Sequence, residues 1–140
     1  MILIVDTNIV FAALLKNSKT RELLIDSPLT LYAPETMLSE IRKHQKLILE
    51  KSGLSEEDFE ILFDLVTENI TIIEKNEYSE KIPEAEKIIG SIDKGDIPFI
   101  ALALSKASDG VWTENIQHFK KQNRIRVWTT KEILSLNFKT

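Results

Sequence analysis

The chain has 140 residues, 43% of them hydrophobic, which is enough for one domain whose core needs no covalent staples. It has no cysteine, which excludes disulfides, thiolate metal sites and cysteine nucleophiles and suits a reducing compartment. The net charge of −4 argues against a uniformly basic nucleic-acid surface, although an uneven spread of bases leaves that question open.

The basic residues fall into three groups along the chain. These groups are Lys16, Lys19 and Arg21; Arg42, Lys43 and Lys46; and Lys120, Lys121, Arg124 and Arg126. Together they could form a basic rim around an acidic centre, although each group by itself is more typical of a solvated helix face.

The apolar segments are too short to cross a membrane. The first ends at Asp6 and has no basic leader, and the longest later one covers only residues 99–104. A bilayer span needs roughly 18 apolar residues. We therefore expect a soluble protein of the cytoplasm, with no membrane partner.

Short apolar segments alternate with helical patterns along the whole chain. Periodicity predicts strands at residues 2–5, 29–33, 70–74 and 110–113, and a weaker fifth at 126–128. It predicts helices at residues 8–15, 20–26, 34–51, 55–67, 80–89, 97–105 and 131–136. This alternation is typical of an α/β fold. We expect one domain over residues 1–140, a three-layer sandwich in which helices flank a central, mostly parallel sheet.

Residues at the predicted boundaries support these assignments. Pro34 suits the first turn of a helix, where its missing N–H is not needed, and Ser55 before three acids suits a helix N-cap. Phe59, Phe63 and Val66 then recur at helical spacing. We expect them in the core.

Asp6 stands directly after the first predicted strand, where ligands bind in open parallel sheets. The short polar side chains of Thr7 and Asn8 follow it and could orient its carboxylate or a water. An aspartate here could equally cap the next helix, and Asp6 by itself does not decide between these roles.

Two further acids stand where later helices could bring them to the same edge. Glu40 lies beside the apolar face of a predicted helix, although a solvated glutamate is the commonest alternative. Asp96 begins an apolar helix that should pack on the sheet, whereas Asp93 precedes a glycine in a predicted turn and is the weaker candidate. Three carboxylates meeting at one edge would hold a divalent metal ion.

The predicted strand at 110–113 ends in Thr113, Glu114 and Asn115, which repeats the polar pattern around Asp6. Thr113 could hydrogen-bond a ligand or water, and Glu114 or Asn115 could complete a second metal position. A plain strand-to-helix turn with Asn115 as its N-cap explains the same residues.

The histidines and tryptophans are expected to be structural. His44 and His118 show no transition-metal spacing, so we expect them on surfaces or helix flanks. Trp112 and Trp128 end strand-like segments, which favours core packing over base stacking.

In this order, the polar segments resemble the PIN-domain family, the metal-dependent ribonuclease fold that includes VapC-like toxins of prokaryotic toxin–antitoxin pairs. The resemblance spans nearly the whole chain and implies a PIN-like fold. The segments that carry it are Asp6-Thr7-Asn8, Ser39-Glu40-Ile41, Asp96 with the apolar residues 97–103, and Thr113-Glu114-Asn115 followed by Phe119.

The resemblance also implies a role for each matched side chain. Asp6, Glu40 and Asp96 would be catalytic acids and, together with Glu114, ligands of Mg²⁺ or Mn²⁺. The side chains that would orient water or substrate are Thr7, Asn8, Thr113 and Asn115. Many family members have aspartate where this chain has Asn115, a neutral and weaker ligand, so a second metal ion would depend on Glu114 or water.

The implied activity is hydrolysis of RNA phosphodiester bonds by water, with no covalent intermediate. The implied partners are RNA, an antitoxin protein that covers the site, and a second copy of the chain in a homodimer. Apolar residues of the first two helices could supply an interface, although some of them must be core: Phe11, Leu14, Leu15, Leu23 and Leu24.

Two alternatives remain. Because Asn115 weakens the fourth acidic position, the chain could be a non-catalytic PIN-like module that binds RNA or a protein partner. A phosphoacceptor receiver domain also carries acids at strand ends, but it needs an acidic pair after its first strand, where this chain has Thr7 and Asn8. The three intact acids favour the nuclease.

Overall fold

The computed structural model describes residues 1–90 and 93–136. Within these ranges, five parallel strands form one sheet in the order β3-β2-β1-β4-β5. The strands are β1 (Ile2–Val5), β2 (Thr30–Pro34), β3 (Ile70–Ile73), β4 (Gly110–Trp112) and β5 (Val127–Trp128). The helices are α1 (Thr7–Leu15), α2 (Lys19–Ile25), α3 (Thr36–Lys43), α4 (Gln45–Ser52), α5 (Glu56–Thr67), α6 (Lys75–Tyr78), α7 (Ile82–Ile89), α8 (Ile97–Ser105), α9 (Ile116–Phe119) and α10 (Thr130–Leu134).

This architecture confirms the predicted α/β sandwich with a parallel sheet. The chain runs from β1 outward through β2 to β3, and then returns to place β4 on the other side of β1. The helices before β3 pack around α1, and those between β3 and β4 pack around α8. Because the strand order reverses between β1 and β4, the carboxyl ends of these strands form the place where ligands bind in such sheets.

The central strand β1 is buried on both faces. Leu3, Ile4 and Val5 have no exposed surface, as a parallel strand between two helical layers requires. Its register is set from both sides, because Ile4 pairs with Tyr32 of β2 and with Val111 of β4. The position of Asp6, the residue after β1, is therefore closely determined.

Two apolar helices begin at the functional edge of the sheet. The helix α8 has the predicted bounds, and its residues 99–103 are all buried. The helix α1 buries Ile9, Val10, Ala13 and Leu14. Both helices are anchored by core packing immediately after the aspartate that precedes each of them.

The predicted helix at residues 34–51 is wrong in two places. Pro34 is the last residue of β2, where it pairs with Ile73 of β3 and ends the strand instead of opening a helix. His44 then divides the helical segment, because its backbone leaves helical geometry (φ −103°, ψ 11°). Its ring Nδ1 donates to the carbonyl oxygen of Glu40 at 2.9 Å and so caps the end of α3.

The predicted helix at residues 80–89 starts at Ile82, since Pro83 occupies the first turn of α7. The short helix α6, which was not predicted, precedes it. Tyr78 in α6 is buried, and its hydroxyl lies 2.9 Å from each carboxylate oxygen of Glu35 at the end of β2. This contact ties the entry of α3 to the segment after β3.

The residues predicted as core are buried. Phe59, Phe63 and Val66 form the inner face of α5, and Trp112 and Trp128 lie within the sheet layers. Their burial confirms the apolar pattern from which they were assigned.

The apolar residues of the first two helices divide clearly. Leu14, Leu23 and Leu24 are core residues, whereas Phe11 and Leu15 remain partly exposed. Sequence periodicity did not separate these sets, because the two helices pack on each other and both pack on α5.

The surface carries charged side chains, some of which form ion pairs. Arg42 binds Glu60, and Arg124 binds Glu84, although exposed pairs of this kind contribute little stability. Of the helices in the two described ranges, none is both long and apolar enough to cross a membrane.

We predict that Gly110→Ala destabilises the fold strongly. Gly110 has φ +141°, and an added Cβ would collide with the carbonyl oxygen of Arg126, which pairs with the Val111 amide across the sheet. The matched control is Gly53→Ala, because Gly53 has φ +75° but no neighbour within 4 Å. Urea unfolding should show a loss of about 3 kcal/mol or more for the first variant and about 1 kcal/mol for the second.

Candidate active site

A cavity of about 250 Å³ opens at the carboxyl edge of the sheet, beside the ends of β1 and β4. The three acids predicted to be catalytic, Asp6, Glu40 and Asp96, line it. The complete lining is Asp6, Thr7, Asn8, Phe11, Glu40, His44, Asp93, Asp96 and Asn115. The point where the strand order reverses is therefore an acidic, polar cavity.

Asp6 has both of the roles that its sequence position left open. Its Oδ1 accepts a hydrogen bond from the Thr7 amide at 2.8 Å, which caps α1. Its Oδ2 accepts one from the Thr113 hydroxyl at 2.7 Å. Only 6% of the residue is exposed. Burial raises the pKa of Asp6, although these two hydrogen bonds oppose the rise.

Thr113 joins the ends of β1 and β4. Besides donating to Asp6, its Oγ1 accepts hydrogen bonds from the Asn115 amide at 2.9 Å and from the Asn8 side chain at 3.2 Å. Thr113 is fully buried, and its three bonds use the hydroxyl's capacity as donor and acceptor. The predicted orienting residues Asn8, Thr113 and Asn115 therefore form one network.

Glu40 reaches the cavity from α3, whose buried residues Met37 and Ile41 fix the helix against the core. The Thr7 hydroxyl donates to Glu40 Oε1 at 3.2 Å. Burial raises the pKa of Glu40, the Thr7 bond opposes the rise, and the Asp6 carboxylate adds to it. Glu40 is thus a positioned carboxylate and not a freely solvated one.

Asp96 is held in the turn that leads into α8, and only 8% of the residue is exposed. Burial and repulsion from Asp6 and Asp93 raise its pKa from 3.8 to about 6, although His118 opposes the rise. Like charges are therefore close enough here to disfavour one another's ionisation.

Three residues that were ranked low or expected on surfaces from the sequence also reach this site. Asp93, ranked below Asp96, lines the cavity, and the ring of His118 contacts both aspartates. His44 also lines the cavity, and its ring meets that of Phe11 edge-on, with the ring centroids 6.4 Å apart. The i,i+3 spacings of Asp93 with Asp96 and of Asn115 with His118 were the available signals, but such spacings are common on helices and turns.

Glu114, predicted as a further metal ligand, is not brought to the cavity. It is exposed, and its Oε1 accepts a hydrogen bond from the Thr130 amide at the start of α10, at 2.7 Å. Consecutive side chains at the end of a strand point in opposite directions. Because Thr113 points inward to Asp6, Glu114 points away.

The donor set fits a divalent cation. Asp6, Glu40, Asp93 and Asp96 offer carboxylate oxygens, the ligands that Mg²⁺ and Mn²⁺ prefer. Burial raises the pKa values of Asp6, Glu40 and Asp96, and repulsion from a neighbouring carboxylate adds to each rise, so their charged forms are disfavoured without a counter-charge. A cation in the cavity would supply that charge.

The fold and the cavity thus define an α/β protein with an acidic centre at the switch of its parallel sheet. The family model described as the PIN domain matches residues 4–136, so the chain belongs to the PIN-domain family. Members of this family are generally nucleases that use divalent metal ions.

A solved structure has a similar fold. It is described as the crystal structure of VapBC2 from Rickettsia felis bound to a DNA fragment from their promoter. The TM-score is 0.64 at 20% sequence identity, over 92% of this chain and 98% of that chain. No curated protein matched the sequence.

We predict that Asp96→Asn stabilises the metal-free protein in a pH-dependent way. The folded-state pKa of Asp96, about 6, lies above its ordinary value of 3.8, so its ionisation destabilises the fold as pH rises through this interval. In EDTA, urea unfolding should show the variant more stable by roughly 1 to 2 kcal/mol at pH 8. The difference should vanish near pH 4.

The matched control is Asp64→Asn, because Asp64 is exposed on α5. It should change stability by less than about 0.5 kcal/mol at either pH. A loss of stability for Asp96→Asn at pH 8 would show that its contacts outweigh the repulsion.

Proposed function

We propose that this protein is an endoribonuclease that uses Mg²⁺ or Mn²⁺ to hydrolyse RNA phosphodiester bonds, and that it is the toxin of a toxin–antitoxin pair. The observation that carries the proposal is the meeting of Asp6, Glu40 and Asp96 on one cavity at the sheet edge. Membership of the PIN-domain family supports the same reaction class.

Each acid has a role that follows from its surroundings. Asp6 and Asp96 are the more deeply buried carboxylates, so they would hold the metal ion. Glu40 is less buried and is aligned by Thr7, so it would orient the attacking water and accept its proton. The raised pKa of Glu40 strengthens it as a base compared with an ordinary glutamate.

A bound Mg²⁺ or Mn²⁺ would lower the pKa of the attacking water and offset the charge that develops on the phosphoryl oxygens. The chain's own contribution is to hold the three carboxylates in position. Thr113 holds Asp6, Thr7 holds Glu40, and the core packing of α8 holds Asp96. Asn8 and Asn115 both donate to the Thr113 hydroxyl, so they would help to hold Thr113 in place beside Asp6.

A basic surface next to the cavity would serve the RNA backbone. Lys43 and Lys46 are exposed on α3 and α4, close in sequence to Glu40 and His44. Arg42 is less available, because its guanidinium binds Glu60 and lies over the ring of Phe63. Contacts from these lysines to the phosphates would offset the repulsion between the acidic site and the negatively charged RNA.

The proposed partners are an antitoxin protein that covers the cavity and a second copy of the chain in a homodimer, with action in the cytoplasm. The similar structure, described as VapBC2, supports the proposal of an antitoxin partner. Phe11 is a partly exposed aromatic residue of the cavity lining, so it offers an apolar contact for a segment that covers the cavity.

The alternative is a non-catalytic PIN-like module that binds RNA or a protein partner. The observation in its favour is that Asn115 replaces a carboxylate while Glu114 turns away from the cavity. The cavity then holds fewer acids from the end of β4 than the resemblance implied.

We predict that the purified protein cleaves single-stranded or structured RNA with Mn²⁺, and that EDTA or Asp96→Asn abolishes cleavage. Loss of a ligand to the metal removes several kcal/mol of transition-state stabilisation, so the rate should fall by about 100-fold or more. Asp64→Asn, which is exposed on α5 and outside the cavity lining, should retain the wild-type rate. Metal binding by wild type without cleavage of either RNA would instead support the binding module.

We also predict that Mn²⁺ raises the melting temperature, because the metal binds the folded state and relieves repulsion among the acids. At about 100 times its Kd, the ion should stabilise the protein by roughly 2.7 kcal/mol. Calorimetry should show most of this increase absent in Asp6→Asn. An undiminished increase in that variant would refute the placing of the ion at Asp6.

A further inference from the structure

The helices α1 and α3 meet at the cavity through two successive contacts between side chains. Thr7 and Phe11 are four residues apart on α1, and Glu40 and His44 are four residues apart at the end of α3. Residues at this spacing share one face of a helix. The first contact is polar, because the Thr7 hydroxyl donates to Glu40. The second is aromatic, because the rings of Phe11 and His44 meet. These two rings are the aromatic pair.

The aromatic pair belongs to a cavity whose other lining residues are acidic or polar. Phe11 is half-buried, His44 is exposed, and both line the cavity. Mg²⁺ and Mn²⁺ take oxygen ligands, so neither ring is needed to hold the ion. Four residues of helix correspond to about 6 Å, so the pair lies about one helical turn from the contact that aligns Glu40.

The geometry of the aromatic pair suits one flat group. The Nδ1 atom of His44 donates to the carbonyl oxygen of Glu40 at 2.9 Å, which restricts the orientation of the ring. The ring planes of His44 and Phe11 are inclined at 73°, an edge-on arrangement typical of aromatic contacts. A flat group that stacks on one ring is therefore nearly perpendicular to the other.

Exposed lysines accompany the aromatic pair. Lys43 directly precedes His44 in the chain, and Lys46 follows it by two residues. Cations beside aromatic rings favour a flat group that is carried on a polyanion over an uncharged apolar group. A nucleotide has both parts, because its base can stack on Phe or His while its phosphate contacts lysine.

We propose that Phe11 and His44 bind one unpaired base of the RNA, in a nucleotide next to the phosphate held at the acids. The proposal rests on the proposed function, because it assigns a base-binding position to the same cavity. A base within a duplex is stacked on both faces and cannot occupy this position unless it is first extruded. An antitoxin segment that contacts Phe11 would compete with this base.

A structural role is the competing account of the same two residues. In that account Phe11 only packs against the core, and His44 only caps α3 through its Nδ1 bond. Their substitution would then change stability or the position of Glu40, whatever the RNA carries. The two accounts differ in whether the effect of a substitution depends on the presence of a base.

The test is to measure the binding of labelled single-stranded chains by fluorescence anisotropy. The full-length protein carries Asp96→Asn, which removes one acidic charge from the cavity, and EDTA keeps the RNA intact. The probes are oligouridine, oligoadenosine and an abasic ribose-phosphate chain of equal length. Phe11→Leu, which keeps an apolar side chain, and His44→Gln should each lower the affinity for both base-carrying chains by about fivefold or more. The affinity for the abasic chain should not change.

Three further variants serve as controls in the same assay. His44→Phe keeps a ring without the Nδ1 bond, so it should retain most of the affinity that His44→Gln loses. Lys46→Gln should weaken the binding of all three chains alike, because phosphate contacts do not read the base. Ile61→Ala should change none of the affinities, because Ile61 is exposed on α5 and lies outside the cavity lining.

The outcomes separate this proposal from the proposed nuclease. An unchanged affinity in Phe11→Leu, or an equal loss for base-carrying and abasic chains, overturns the base-binding role, and cleavage by the wild type with Mn²⁺ then leaves the nuclease standing. A base-dependent loss without any cleavage by the wild type supports the aromatic pair and overturns the nuclease. If none of the chains binds, both are overturned.

Discussion

The burial of several carboxylates at one edge of the sheet is the constraint on which the rest of the structure depends. Asp6 and Asp96 are each less than a tenth exposed. Burial raises the pKa of both, and repulsion from Asp6 and Asp93 adds to the rise for Asp96. Neutral or apolar residues would make this edge more stable. The arrangement is therefore locally destabilising, and a cation bound among these acids would offset that loss of stability.

The surrounding fold is built to hold these acids still. The aspartates stand at the starts of α1 and α8, and each of these helices is anchored by buried apolar residues. Thr113 supplies the contact between strands, since one hydroxyl joins Asp6 to Asn8 and Asn115. The apolar core fixes the helices, and the polar network then fixes the carboxylates.

Asn115 was predicted both as a weak metal ligand and as an orienting side chain, and its contacts in the structure are of the second kind. In the structure it links two parts of the site, because its backbone amide binds Thr113 and its side chain meets His118. Glu114, which is bound to Thr130, stays outside the cavity, whereas Asp93 lines it and His118 contacts Asp93 and Asp96.

The sequence alone determined the α/β class, the five strands, the bounds of α8 and the three acids on the cavity, because periodicity and positions after strands or before helices are local properties. Only the tertiary structure decided that Pro34 ends a strand, that His44 divides a helix, and that His118 joins the site while Glu114 leaves it. Those outcomes depend on sheet order, on the direction of each side chain at a strand end, and on which turns pack together. None of these follows from spacing along the chain, because residues distant in sequence are brought together by the packing of the whole core.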